Sequence, residues 1–430
     1  MKIEVKEVAN WGNYPSIRAE IVQPEQAFEA VAYVQKATRL IARGNGKCYG
    51  DAALGPMILS TLALRTIRSF DASAGQIDCE AGVLLSDLLP LIVPAGWFFH
   101  VTPGIKSITV GGAIASDVHG KNHPAKGCFS NWLISLELLQ GDGTIARCSR
   151  MENAPLFWQT CGGMGWTGVI LSACFRLMKI SSTQMRQMSL RASNLEQLFR
   201  IFEENAHWPY AAGWIDCTAR GAGFGRGAVF FAAHATAPEE NQTLQFLTKK
   251  AKNVPFFAPS WVLNRFSIYL HNALFNRRVQ AGESLVELDT YFYPLDRVQN
   301  WNRFYGRRGF IQYQFCLPEE QSFDGIREVL ETIRSSRDTP FLTVLKRHGE
   351  RPPEAIHSFP IRGYSLALDF PRTSTIFDLV KRLDEIVWQH GGKIYLSKDA
   401  CSSAKMGRVD PRTFGEDKFF SSLKERIMMK

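Results

Sequence analysis

Ile108-Thr109-Val110-Gly111-Gly112-Ala113-Ile114-Ala115-Ser116-Asp117-Val118-His119-Gly120-Lys121-Asn122 is the stretch on which a reading of the fold turns. The β-branched and apolar start predicts a strand over Ile108–Ala115. Paired glycines and small side chains then let a flat or bulky group approach the backbone. A dense cluster of Ser116, Asp117, His119, Lys121 and Asn122 closes the run, and Pro103-Gly104 precedes it. His119 taken alone reads more readily as a satisfied structural histidine; within this cluster the chemical reading draws level with it.

Four further stretches lie outward from it. Arg43-Gly44-Asn45-Gly46-Lys47-Cys48-Tyr49-Gly50-Asp51 follows a short apolar run, and its glycines would let backbone N–H groups face a pyrophosphate. The spacing is GxGxxxG with no clear helix after it, so it is not a Rossmann fingerprint. Gly162-Gly163-Met164-Gly165-Trp166-Thr167-Gly168 puts four glycines in seven residues, again implying tight turns or close approach. Tyr395-Leu396-Ser397-Lys398-Asp399 places a lysine at a strand end, where desolvation could make it a base or a phosphate anchor. In Ile311-Gln312-Tyr313-Gln314-Phe315, alternation puts Gln312 and Gln314 on one face, which suits a polyhydroxyl ligand. Each also has a plainer reading: a glycine-rich turn, a solvated lysine, a polar solvent face.

The chain has 430 residues, which suggests two domains, or three. Hydrophobic residues at 45% and charged residues at 21% permit a large core and exclude disorder. The net charge of +9 is spread along the chain and permits an anionic partner without demanding one. Nine cysteines with no CxxC pair point to reduced thiols, with neither a disulfide framework nor a zinc site. The opening MKIEVKEVANWG lacks an apolar core, so no signal peptide is expected. Asp87, Pro90 and Pro94 interrupt the most apolar stretch, Ala81–Phe99, so no transmembrane segment is expected either. Helices are predicted over Pro24–Lys36, with Phe28, Val31 and Val34 inward, and over Leu84–Leu89 ahead of Pro90. Two more follow from Ile326, Val329, Leu330, Ile333 and from Ile376, Leu379, Val380, Leu383, Val387, the second capped by Ser374 and stopped by Gly391-Gly392. Strands are predicted at Leu133–Leu139, Gly309–Leu317, Tyr364–Phe370 and Lys393–Leu396.

The glycine stretches and the His119 cluster together resemble the FAD-binding domain of the vanillyl-alcohol oxidase / p-cresol methylhydroxylase (PCMH) flavoproteins. Within that family, HGKNH (119–123), TGVI (167–170), YPLD (293–296), WNRFYG (301–306), QYQF (312–315), SFPIRGY (358–364), DFP (369–371) and IYLSKD (394–399) resemble the decaprenylphosphoryl-ribose 2′-oxidase branch. The likeness runs from about Arg43 to Asp399. It implies an α+β fold: a two-subdomain PCMH-type FAD domain over residues 1–180, an α+β substrate domain on an antiparallel sheet over 181–393, and a segment, 394–430, returning to the FAD domain.

The resemblance implies a two-electron oxidation in which the 2′-hydroxyl of a polyprenyl-phosphoryl ribose becomes a ketone and a hydride passes to flavin N5. A separate NAD(P)H-dependent reductase would then complete an epimerisation. Lys398 matches the essential lysine of that branch, and His119 is the competing base. The resemblance assigns the cofactor to Arg43, Gly44, Asn45, Gly46, Lys47, Cys48, Tyr49, Gly104, Thr109, Val110, Gly111, Gly112, Ser116, Asp117, Val118, His119, Gly120, Asn122, Val169, Ile170 and Tyr395. It assigns the substrate to Lys121, Trp214, Phe292, Gln312, Gln314, Lys346 and Ser365. It implies no metal.

Lys47 stands where many relatives carry the histidine that bonds covalently to flavin, so noncovalent FAD is expected. Phe292, Ser365 and Ala367 depart from the branch pattern at the substrate end. An aldonolactone or alditol oxidase of the same fold is the alternative, and a flavin-bearing scaffold without catalysis a third reading. The expected setting is cytoplasmic with at most peripheral contact with the inner membrane, and no nucleic-acid partner.

Overall fold

A computed structural model describes residues 1–236, 244–247, 251–402 and 418–428. Among the described residues there are three large sheets and a two-stranded parallel one, Lys252–Asn253 with Val298–Gln299. The first has the order Lys2–Ala9, Ser16–Gln23, Met57–Ser60, Ile41–Arg43. Its first pair is antiparallel and the others parallel. Parallel pairing needs a crossover, and helix Ala27–Lys36 supplies it. The inward stripe of this helix is Ala27, Ala30, Val31 and Val34, spaced i, i+3, i+4, i+7. Phe28 lies off that stripe and is 71% exposed, contrary to its predicted inward position.

The second sheet runs Ile67–Asp71, Gln76–Glu80, Val169–Lys179, Leu133–Leu139, Ile145–Ser149, with Trp97–Phe99 paired to the far end of Val169–Lys179. Two helices on it differ from the sequence reading. Ile108–Ala115 is no strand: residues Val110–Ala115 form a helix. Thr109 caps it, its Oγ1 accepting from Gly112 N at 3.1 Å. Val110, Ala113 and Ile114, at i, i+3, i+4, are fully buried, and this outweighs the strand preference of Val and Ile. Helix Leu85–Ile92 does not stop before Pro90 but runs through it. Leu85, Leu88, Leu89 and Ile92 bury one apolar stripe on both sides of the proline, which offsets the lost hydrogen bond.

The third sheet is antiparallel and has eight strands, in the order Gly282–Glu287, Gln184–Ala192, Gly227–His234, Tyr210–Ile215, Leu342–His348, Gly363–Pro371, Phe310–Pro318, Lys393–Ile394. Helices Leu195–Glu204, Glu319–Ser335 and Ile376–Gln389 contribute to the core on one of its faces. Ile311, Tyr313, Phe315 and Leu317 join that core, and alternation turns Gln312 and Gln314 to the opposite face. The predicted apolar stripes of the last two helices are buried as expected. Thr375, not Ser374, is the N-cap of Ile376–Gln389, and its hydroxyl donates to Asp338 at 2.8 Å instead of capping.

The end of the chain returns to the first sheet. Leu40 bridges to Phe419, and helix Ser422–Met428 buries Leu423 and Ile427 with Val8, Ala19 and Ile41. Arg426 holds Asp51 through two bonds of 2.9 and 3.0 Å and Asp399 at 2.9 Å. This ties the loop carrying Lys398 to the N-terminal unit.

Candidate active site

A cavity of about 360 Å³ lies where the glycine loops meet the open face of the eight-stranded sheet. One wall is loop 44–49, Thr102–Ile105, Ile108, Thr109, Gly111, Gly112 and the segment around Ala115, Ser116, Val118, His119 and Lys121, with Met164, Gly165, Gly168 and Ile170. The other is Gln312, Gln314, Leu342, Val344, Lys346, Ser365 and Ala367, closed by Tyr395, Ser397 and Lys398. The cavity thus brings together most residues singled out in the sequence. Gly44 to Tyr49, Gly104, Thr109, Gly111, Gly112, Ser116, Val118, His119, Lys121, Ile170, Phe292, Gln312, Gln314, Lys346, Ser365, Tyr395 and Lys398 all line it.

Seven candidates stand behind or beside it. Arg43 holds the glycine loop from outside, donating to Asn10 and to the Ala9 carbonyl at 3.0 Å. Val110 and Val169 are core residues. Asp117 is fully buried, accepting from the backbone N–H of Ser130 at 2.9 Å and from the hydroxyls of Ser130 and Ser358. Gly120 sits against Asn122, whose amide donates to the His100 carbonyl at 2.8 Å. Trp214 follows Ala212 on the same strand face but lies beyond the cavity, ring to ring with Phe275 at 4.7 Å.

The glycine end fits a flat, phosphate-bearing group. A methyl at Gly104 would meet no protein atom within 4 Å, although the residue lines the cavity, so it would project into the space a ligand needs. At Gly112 it would meet only Thr109 Oγ1, at 2.9 Å. Gly46 and Gly165 adopt φ of 59° and 79°, where a side chain is strained.

The other end is cationic. Lys121, Lys346 and Lys398 line it, with Lys47 on the glycine loop, and among the described residues no Asp or Glu lines the cavity. Burial pulls the Lys398 ammonium down to about 7, against the opposing pull of Asp369. Burial raises the Asp369 carboxyl to about 7, and its Oδ1 accepts from Gln312. The Lys398 ammonium stands 3.6 Å above the Tyr49 ring, whose hydroxyl burial keeps un-ionised. Lys346 is lowered to about 8 by burial, and Lys121 to about 7 by burial and by Lys346. Lys121 donates to the Tyr291 carbonyl. Lys47 lies 3.5 Å over the Trp11 ring.

His119 Nε2 is 3.2 Å from Gln314 Nε2, so the amide donates and the ring nitrogen accepts. Burial, aided by Lys346, keeps this histidine neutral. Two histidines that sequence reasoning missed pack behind it. His348 is edge-on to His119 at 5.1 Å and 2.7 Å from Ser365 Oγ; His123 is 4.8 Å from His348. Alternation along Leu342–His348 carries a signal for His348, since it shares a face with Lys346. Among the described residues, no group of three or more His, Cys, Asp or Glu could hold a metal.

The FAD binding domain family matches residues 16–149, which carry the Gly44–Gly50 loop, Gly104 and the Gly111-Gly112 pair. The decaprenylphosphoryl-β-D-ribose oxidase of Mycolicibacterium smegmatis is 31% identical over 416 residues, 93% of this chain and 90% of that protein. L-gulonolactone oxidase of Mus musculus is 32% identical over 111 residues, 25% of this chain and 24% of that protein. Glycine cradle, lysine-lined cavity and a likeness over 93% of the chain agree: the chain is an FAD-dependent oxidoreductase that belongs to the vanillyl-alcohol oxidase / p-cresol methylhydroxylase flavoproteins, on the branch of the decaprenylphosphoryl-β-D-ribose oxidases.

Proposed function

We propose that this enzyme oxidises the 2′-hydroxyl of a polyprenyl-phosphoryl ribose, or a closely related lipid phosphosugar, to a ketone. The observation that carries this is the cavity wall: among the described residues it holds four lysines, no carboxylate, and the Gln312 and Gln314 amides. Amides suit sugar hydroxyls, and desolvated ammonium groups suit a phosphate. Bound FAD supplies the two-electron sink for the carbinol hydrogen.

The chain's own residues orient the sugar and take the hydroxyl proton. Lys398, lowered to about 7, is substantially neutral near pH 7.5 and accepts that proton. His119 is held neutral far below its ordinary value and already receives the Gln314 amide, so it positions rather than abstracts. Lys346, lowered only to about 8, stays largely charged near pH 7.5 and holds the phosphate; Lys121, lowered to about 7, takes up its proton as the anion arrives beside it, and Phe292 and Leu295 shield the group from water. Gly44 to Tyr49, Gly104 and Gly112 hold the cofactor. The ketone then passes to a separate NAD(P)H-dependent reductase.

FAD is held without a covalent bond. Lys47 is turned onto Trp11, and burial raises the Cys48 and Cys128 thiols, so neither thiol is a ready nucleophile. A neutral sugar lactone is the second reading, favoured by the partial likeness to L-gulonolactone oxidase; it would use the glutamines but not Lys121 or Lys346. The test is product analysis. Phosphoribosyl lipid incubated with the enzyme and then reduced with borodeuteride should carry deuterium at C2′; unlabelled lipid would refute the assignment.

A further inference from the structure

Helix Arg265–Arg278 presents its apolar residues to water. Ile268 and Asn272 face the protein. Phe266, Tyr269, Leu270 and Leu274, at i, i+3, i+4, i+8, form the outward stripe and are 74%, 50%, 49% and 42% exposed. Upstream, Phe256 and Trp261 are exposed by 71% and 73%. A contiguous apolar face of this kind on a folded protein marks a docking surface.

Its charge says what docks. From Ala251 to Gly282 the sequence has no Asp or Glu, and it carries Lys252, Arg265, Arg277 and Arg278. Arg277 and Arg278 are exposed at the end of the apolar stripe. Exposed aromatics and leucines flanked by cations match the interface of an anionic bilayer, with rings at headgroup level and guanidinium groups on phosphates.

The helix is held rigidly. Asn272 donates to the buried Asp216 at 2.9 Å, Arg226 holds the same carboxylate, and Asn264 caps the first turn. It also stands beside the cavity. Phe275 packs on Trp214, two residues beyond the cavity-lining Ala212. His271 packs on Phe341, next to the cavity-lining Leu342, and Val344 on that strand is both cavity-lining and exposed.

We propose that Phe256, Trp261 and the outward stripe of helix Arg265–Arg278 seat the enzyme on an anionic lipid surface with the cavity mouth toward it. This stands on the helix and its charges alone; the lipid-phosphate reading gives it a purpose, and the two fail separately. The experiment uses holoenzyme and no substrate. Vesicles of phosphatidylcholine alone are compared with vesicles of phosphatidylcholine and phosphatidylglycerol in a flotation assay. Wild type should float with the anionic vesicles and dissociate as salt rises.

Phe266→Ser with Leu270→Ser should lower partitioning about tenfold per residue, with the flavin spectrum unchanged. Brominated phosphatidylglycerol should quench tryptophan emission, and Trp261→Phe should remove most of that quenching. The proposal is overturned if wild type ignores anionic vesicles or the double variant floats equally. It is also overturned if the face instead holds a second copy, seen as a dimer that the double variant dissociates.

Discussion

Replacing Lys398 separates a base from a bystander. Its amine is lowered from 10.5 to about 7, so near pH 7.5 the neutral form is roughly a thousand times more populated than in an exposed lysine. Burial in the cavity wall is the main cause; the 3.6 Å approach to the Tyr49 ring and the Asp369 carboxylate favour the charged form instead. Loss of a general base costs about 10²–10⁴ in rate. Lys398→Ala should therefore retain FAD but slow anaerobic single-turnover bleaching of the flavin by that factor. Lys398→Arg is the sharper variant: it keeps the charge and cannot deprotonate, so it should be as slow as alanine. His119→Ala, which removes the partner of Gln314 and the ring packed on His348 and Tyr395 but no base, should lose about tenfold or less. Wild-type bleaching in Lys398→Ala with a dead His119→Ala would refute the assignment, and full activity in Lys398→Arg would show that the charge matters rather than the base.

Four further outcomes are expected. The single-turnover rate should rise as pH climbs through about 7 and Lys398 becomes neutral, while KM should worsen above about 8 as Lys346 loses its charge; a stopped-flow pH series checks both limbs. Gly104→Val should fold with unchanged thermal stability yet bind FAD poorly, measured as flavin per chain, and Gly112→Val should do the same with some added cost at the Thr109 cap. Arg426→Ala leaves the buried Asp51 and Asp399 unpaired and should destabilise by about 3 kcal/mol, seen as a lower Tm. With FAD noncovalent as proposed, acid precipitation should leave the yellow colour in the supernatant; colour in the pellet would refute it.

Much of the site could be read from the chain, for physical reasons. Gln312 and Gln314 share a face because strand alternation is strict, and the sheet puts that face on the cavity. The two late helices were plain because their apolar period is undisturbed. The helix Val110–Ala115 was not, because Ile and Val favour strands and only the tertiary burial of Val110, Ala113 and Ile114 decides otherwise. Phe28 shows the converse: a large apolar residue is left outside when small ones fill the packed stripe. Trp214 entered only through the resemblance, and no local pattern reports that it lies beyond the cavity against Phe275. His348 and His123 come together across more than two hundred residues, which no local pattern reports.

The central claim is that the lysine-lined cavity accepts a lipid-phosphate sugar. Anaerobic titration of the flavin absorbance tests it most directly, with phosphoribosyl lipid, the same lipid lacking its phosphate, and L-gulonolactone as titrants. The account predicts stoichiometric bleaching by the phosphorylated lipid alone, weakened by Lys346→Ala through KM. Bleaching by the lactone with no response to the phosphorylated lipid would contradict it.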